Sequence, residues 1–385
     1  LYPQLVSGAG LTKLDVRPAC RLWALGAIVI GVALAASACQ GRYLSADNSD
    51  PVTPESGFRD RGDLLGAGAT FPSPLYQGWF HDYNLSAPDV RANYQSIGSG
   101  AGIHQFMEGV VDFGATDAPM SDADLKDAPD TQHLPTVLGA VAIGYNLAGV
   151  EQTLKLDADV VAQVFLGTIK RWDDPAIAAL NPGVALPALD VSVVHRSDSS
   201  GTTYVFTDWL NKSNAAWKAS LGRSKAPNWP VGLGGLGNEG VATLIKQTPG
   251  AIGYIELNYL KTLGLPAAEV KNGSGEFVSP SIDSATAAAA GVEIPADYRV
   301  SLTGANGAGA YPISSFTYLL VPGKPTECAK ARVLYHLLWW AYHDAGATDL
   351  ARELLYAPLP APVVARVEQT LLGATCDGHP VLESP

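Results

Sequence analysis

The sequence predicts an α/β protein, built from strands that run into glycine- and hydroxyl-rich turns and then into helices. Two observations carry this. An apolar or β-branched run, a Gly/Ser/Thr turn and apolar residues at helical spacing follow one another at three places, opening helices near residues 75, 103 and 204. The 385 residues have ordinary apolar content, with 40 glycines and 27 prolines, which suits two to three domains with ample core. A net charge of −12 with no basic stripe argues against general nucleic-acid binding. A chain this acidic that binds an anion must rely on local donors, because its overall field repels the ligand.

Taken in order, Arg17 and Arg21 precede an apolar run from Leu22 to Ala38, interrupted only by small glycines and Ser37. A basic flank, a short apolar stretch and small residues before a cut predict an export signal. Ala36-Ser37-Ala38-Cys39 resembles a bacterial lipoprotein cleavage box, so residues 1–39 read as a signal peptide with Cys39 as the lipidation site. That box usually carries Leu three residues before the cysteine; Ala36 stands there and Leu34 is displaced. A signal anchor or a plain secretory peptide is the alternative. No other run has the length to span a bilayer. Residues 40–62 are polar and aperiodic and read as a flexible tether, with the folded part starting near Asp63.

Gly66-Ala67-Gly68-Ala69-Thr70-Phe71-Pro72 precedes Leu75, Trp79 and Tyr83, which share one helical face. Thr70 is expected to cap this helix and offer its hydroxyl, and the Phe71 N–H is free to bind. A dinucleotide fingerprint fails, because Phe71 occupies the third glycine position. Val90–Ile97 reads as a strand, followed by Gly98-Ser99-Gly100-Ala101-Gly102 and a helix with Ile103 and Met107 on one side. A nucleophile elbow fails because Ile97 lies two residues before Ser99. Val110–Ala115 is the next strand, ending at Asp117, after which Ser121 and Asp124 form a capping box. A lone acid at a strand tip is commonly a turn residue.

His195-Arg196-Ser197-Asp198-Ser199-Ser200-Gly201-Thr202-Thr203 follows the run Val191–Val194 and precedes a helix carrying Phe206 and Leu210 on one face. Unpaired N–H groups and the positive end of the dipole make such a helix start an anion site. Gly201 admits close approach, Ser200 and Thr202 add hydroxyls, and Arg196 supplies a fork that matches a tetrahedral oxyanion. An ordinary N-cap with a surface arginine remains the alternative on this stretch alone.

Together these stretches, with Gly167-Thr168-Ile169-Lys170-Arg171-Trp172, Pro249-Gly250-Ala251-Ile252-Gly253-Tyr254 and Tyr311-Pro312-Ile313, are colinear over residues 64–365. They resemble the phosphate-binding proteins of bacterial high-affinity phosphate ABC transporters. The resemblance implies a two-lobed periplasmic-binding-protein-like fold of type II, with two crossing strands as hinge and the ligand in the interlobe cleft. It implies contacts from the Thr70 hydroxyl, the Phe71 N–H, Ser99, Asp117, Arg196, Ser200, Gly201 and Thr202. Asp117 would accept a hydrogen bond from a proton on the phosphate, and Asp198 would hold Arg196. Ser199 stands where the family often has glycine, which removes no donor. The implied partners are inorganic phosphate and the permease subunits of the transporter, with a lipid-anchored monomer outside the cytoplasmic membrane; no cofactor or catalytic residue is implied.

Val137–Tyr145 and Tyr311–Val321 read as the crossing strands, giving a first lobe of 63–143 plus 315–378 and a second of 144–314. Further helices are expected over Asp159–Leu166, Asp173–Leu180, from Asn238, over Ser284–Gly291 and from Thr326. Trp339 and Trp340 read as packing residues. With Cys20 in the signal and Cys39 at the lipid site, Cys328 and Cys376 remain to pair as a disulfide in an oxidising compartment. The seven histidines show no metal spacing. A phosphatase needs a nucleophile with a base, or a metal cluster, and neither His104 nor His195 is placed for that. Binding of sulfate, molybdate or tungstate is the other alternative, and Asp117 argues against it.

Overall fold

The computed structural model describes residues 61–382. The expected signal peptide, Cys20, the Cys39 lipidation site and the tether through residue 60 lie outside the described residues. Among the described residues no helix is long and apolar enough to cross a membrane.

The first part runs β1 (Gly62–Gly68), α1 (Ser73–Ser86), β2 (Val90–Ser96), α2 (Ser99–Met107), β3 (Phe113–Thr116), α3 (Asp124–Asp127) and β4 (Thr131–Tyr145). β1 thus includes Gly62, the last residue assigned to the tether. β1 pairs in parallel with both β2 and β3, which requires crossovers, and α1 and α2 supply them. α1 buries Tyr76, Trp79, Phe80 and Tyr83, and the rings of Tyr76, Phe80, Tyr94 and Phe113 pack at centroid distances of 5.4–6.5 Å. The strand expected from Val110 begins only at Phe113; Val110 is 59 % exposed, because only the Phe113 end meets β1. The Ser121–Asp124 box forms, with Ser121 N–H donating to Asp124 Oδ2 at 2.8 Å and Asp124 N–H to Ser121 Oγ at 3.1 Å.

The middle of the chain continues β5 (Lys155–Leu156), α4 (Ala158–Phe165), α5 (Pro175–Leu180), β6 (Ser192–Arg196), α6 (Gly201–Ser213), α7 (Ala215–Ser220), β7 (Leu233–Gly235), α8 (Gly237–Gln247), β8 (Ala251–Glu256), α9 (Leu257–Thr262), β9 (Glu269–Lys271), β10 (Phe277–Val278) and α10 (Ile282–Ala289). It then returns through β11 (Ser314–Pro322), α11 (Cys328–His343), α12 (Ala345–Glu353), β12 (Ala357–Pro358), α13 (Ala361–Leu372), β13 (Thr375–Cys376) and β14 (His379–Pro380).

The main sheet has the order β2-β1-β3-β11-β4-β8-β6-β7. β4 is the shared strand. Its residues 131–140 pair antiparallel with β11, and its residues 141–145 with β8. All of β4 from His133 onward is buried, which explains its continuous apolar reading. Parallel strands β6, β7 and β8 complete the second half. Pro135 interrupts the β4–β11 ladder, since it has no N–H to donate, and the register shifts between Thr317 and Tyr318.

Residues 294–303 link the two halves a further time. Arg366 donates to the Ile294 and Pro295 carbonyls, and Tyr318 to that of Val300. Ser301 and Thr303 then donate to Asp208 on α6, both at 2.5 Å. Cys328 and Cys376 form the expected disulfide, with Cα atoms 5.5 Å apart and 48 residues between them in sequence. Closing a loop of that length constrains the unfolded chain by about 4 kcal/mol. Denaturant titration of a Cys328→Ser/Cys376→Ser variant is expected to show a loss of that order; a loss below about 1 kcal/mol would mean that the unfolded state is not so constrained.

Candidate functional site

Four loops converge where strands end. The β1 end leads into Thr70 and Phe71, the β2 end into Ser99, the β3 end into Asp117, and the β6 end into Asp198–Ser200. β1, β2 and β3 are parallel, as are β6 and β7, so these loops leave the carboxyl ends of strands, where open α/β sheets place ligands. Thr70, Phe71, Ser99, Asp117, Arg196, Ser200, Gly201 and Thr202 are all buried. The two halves touch here, with Gly100 N–H donating to the Ser199 carbonyl at 2.9 Å. Two glycines permit that approach. Gly98 has φ of +90°, and a Cβ on it would overlap Asp198 Oδ2; a Cβ on Gly201 would stand 2.6 Å from Asp117 Oδ2 and overlap Ser99 Oγ.

Arg196 is the fixed cation of the site. Its Nε and Nη2 donate to Asp198 Oδ1 and Oδ2 at 2.7 and 2.5 Å, and its Nη1 to Thr202 Oγ1 at 3.4 Å. A guanidinium has five N–H donors, so these bonds leave one on each terminal nitrogen, a pair suited to two oxygens of one anion. Asp198 is itself held by the Gly237 N–H at 3.2 Å. At the α6 start Ser200 is the N-cap, as the alternative reading has it, and its Oγ accepts from Thr203 N–H at 3.1 Å.

Asp117 is a buried carboxylate with only one side satisfied. Its Oδ1 accepts from the Thr317 hydroxyl at 2.8 Å, whereas Oδ2 is buried without a hydrogen-bond partner. Burial is the largest influence on its pKa, opposed by the Thr317 bond and the Arg196 charge, and it is pushed up to about 7. A carboxyl whose folded pKa exceeds its unfolded value of 3.8 stabilises the fold fully below about pH 4, and that contribution is lost as pH rises through about 7. In ligand-free protein, wild type is therefore expected to lose about 4 kcal/mol relative to Asp117→Asn between pH 4 and 8. Denaturant midpoints of both proteins across that range check this; a constant gap would mean an unshifted carboxyl.

One expectation is corrected. Thr70 does not cap α1: the N-cap is Pro72, with no side-chain cap bond. Thr70 Oγ1 instead accepts from Asn238 N–H at 3.2 Å and Asn238 Nδ2 at 2.8 Å, because α8 of the other half reaches across. Sequence reasoning missed Asn238 as a site residue; the polar start of a helix after a glycine-rich run was the available signal. It also missed Thr317, a single hydroxyl in an apolar strand, and three tyrosines behind the loops. Tyr259 donates to the Thr70 carbonyl and Tyr356 to that of Phe71, both at 2.6 Å, and Tyr254 pairs with Thr203 at 2.7 Å. Glu256 is buried beneath them, and burial raises its pKa well above the usual carboxylate range.

A cleft of about 770 Å³ reaches Asp117 and Ser315 from the surface, past Tyr204, Lys225 and Arg299. A separate crevice of about 430 Å³ beside Asp112 and Lys330 gathers none of the expected site residues. His195 stacks on Trp229, with centroids 4.9 Å apart, and His104 is exposed on α2.

Residues 53–334 match the family model of the PBP superfamily domain. The phosphate-binding protein PstS of Xylella fastidiosa (strain Temecula1) is 37% identical over 332 residues, covering 86% of this chain and 90% of that one. PstS of Haemophilus influenzae is 38% identical over 314 residues, covering 81% and 93%. In fold, the chain is similar to a high affinity periplasmic phosphate-binding protein (PfluDING) solved with phosphate, with a TM-score of 0.69, 24% identity and coverage of 84% and 100%. With a PBP-superfamily match over most of the chain and curated relatives above 35% identity along nearly their whole length, the chain belongs to the PstS family of phosphate-binding proteins.

Proposed function

We propose that this chain binds inorganic phosphate between two lobes outside the cytoplasmic membrane and delivers it to the permease subunits of an ABC transporter. It acts by binding and not as an enzyme, in keeping with its family. The single observation that carries the ligand is Asp117: its buried Oδ2 lacks a donor, and phosphate at neutral pH carries a proton to offer it. Sulfate has no such proton and would set two acceptors against each other, which also disfavours molybdate and tungstate.

The proposed lobes are 63–143 plus 315–378 and 144–314, with residues 294–300 packing on the first. The first lobe supplies the Thr70 hydroxyl, the Phe71 N–H, Ser99 and Asp117. The second supplies Arg196, held by Asp198, with Ser200, Gly201 and Thr202. A ligand that touches both donor sets favours the closed form over the open one. Residues 1–39 are proposed as an export signal ending at a lipidated Cys39, followed by a tether that ends before β1, with a monomer at the membrane surface.

Calorimetry on protein stripped of bound anion tests the reading. One-to-one phosphate binding with no sulfate heat at neutral pH is expected. Sulfate binding as tightly as phosphate would overturn the role given to Asp117, and binding of neither would overturn the phosphate assignment.

A further inference from the structure

We infer that Asn238 is a positioning residue of this site, an amide clasp that turns the Thr70 and Thr202 hydroxyls into obligate donors toward the anion. The inference rests on the phosphate reading above and adds a residue to it. Asn238 is fully buried in the first turn of α8. Its Oδ1 accepts from Glu256 N–H at 3.1 Å. A peptide N–H can only donate, so the amide oxygen faces β8 and the NH₂ faces the loops. Nδ2 then donates to Thr70 Oγ1 at 2.8 Å and to Thr202 Oγ1 at 3.2 Å.

The consequence follows from counting protons and lone pairs. A hydroxyl has one proton and two lone pairs. Thr70 Oγ1 accepts from both Asn238 N–H and Nδ2, so both lone pairs are engaged. Thr202 Oγ1 accepts from Asn238 Nδ2 and Arg196 Nη1, so its lone pairs are engaged too. Each proton must go to another acceptor, and the bound anion is the acceptor the site is built for. Without the Asn238 amide each hydroxyl has a lone pair released and can rotate to present it to the ligand instead, at a cost in affinity. Thr70 follows β1 and Thr202 opens α6, so one amide ties together donors from the two halves.

The test is a double-mutant cycle on the purified full chain with inorganic phosphate as ligand. Asn238→Ala is expected to weaken phosphate binding about 30-fold, the scale of two misdirected hydrogen bonds. Thr70→Val alone is expected to cost about tenfold. In the Asn238→Ala background the Thr70→Val loss should shrink at least about threefold, because a hydroxyl that is no longer aimed has less to lose. A residue with a merely structural role would leave the two losses additive, and additive losses overturn the inference. Unchanged affinity in Asn238→Ala also overturns it. Should that variant fail to fold, Asn238→Ser, which keeps a polar side chain in the buried turn but cannot reach both hydroxyls, takes its place in the same cycle. Wild-type protein that binds no phosphate overturns the phosphate reading and this role with it; wild-type binding with additive losses overturns this role alone.

Discussion

Arg196→Ala is expected to weaken phosphate binding about 10³-fold, the largest effect of any single substitution in the site. The arginine side chain is 1 % exposed, and its ion pair with Asp198 is therefore cut off from solvent screening. Removing one partner of a buried pair costs about 3–5 kcal/mol, because the other charge is left uncompensated. Here the stranded charge is an anion, Asp198, beside the place where a second anion must bind. The loss is thus twofold: two charge-assisted donors to phosphate disappear, and a repulsion appears. Arg196→Lys keeps the charge but not the fork that serves Asp198 and the ligand together, and it should cost about 10²-fold. Calorimetric titration of both variants reads these effects. A loss under tenfold for the alanine variant would mean that phosphate does not sit against this guanidinium.

The second large effect concerns selectivity. Asp117→Asn is expected to lower the phosphate-to-sulfate affinity ratio by about 10²-fold or more. The Thr317 hydroxyl donates to Oδ1, so in the variant the amide oxygen takes that place and the NH₂ group takes the place of Oδ2. A donor then faces the ligand. Sulfate, with acceptors only, gains a partner in place of an opposing oxygen. Phosphate loses the acceptor for its own proton, or must rotate a different oxygen into the position. Two buried acceptors facing each other cost about 2–4 kcal/mol, which sets the size of the change. Competition binding at about pH 8.5, where Asp117 is ionised and dibasic phosphate still carries one proton, measures it, and an unchanged ratio would sink the proton-matching argument. Arg196 is not altered in this variant, so overall anion affinity should persist while the ratio collapses.

Both effects depend on residues that were visible in the sequence for different reasons. Arg196, Ser200, Gly201 and Thr202 lie together between a β-branched run and an amphipathic helix, and local chemistry offers that stretch as an anion site before any fold is known, with an ordinary N-cap beside a surface arginine as the equal alternative. Asp117 alone reads more readily as a turn residue; only its place in a colinear series of loops raises it above that. The strands were legible because burial on both faces leaves them continuously apolar, as in Val137–Tyr145. The Cys328–Cys376 pairing follows from counting cysteines in a chain read as exported.

Other features had no local signature. Thr317 lies in an apolar strand, and only a register shift beside Pro135, on the neighbouring strand, coincides with its position facing Asp117. Thr70 looked like a helix cap because Ser and Thr before a helix usually are; its hydroxyl is claimed instead by Asn238, 168 residues away. The passage through residues 294–303, anchored at one end to α13 and at the other to α6, has no periodicity to read. The sequence by itself determined which residue types stand at the ends of strands, because turns, caps and burial are settled by a few neighbouring residues. The tertiary structure alone decided which of them share protons and charges. An orphaned oxygen on Asp117, a doubly accepting Thr70 and an amide that bonds hydroxyls of both halves are relations between segments far apart in the chain, created only where the two halves pack against each other.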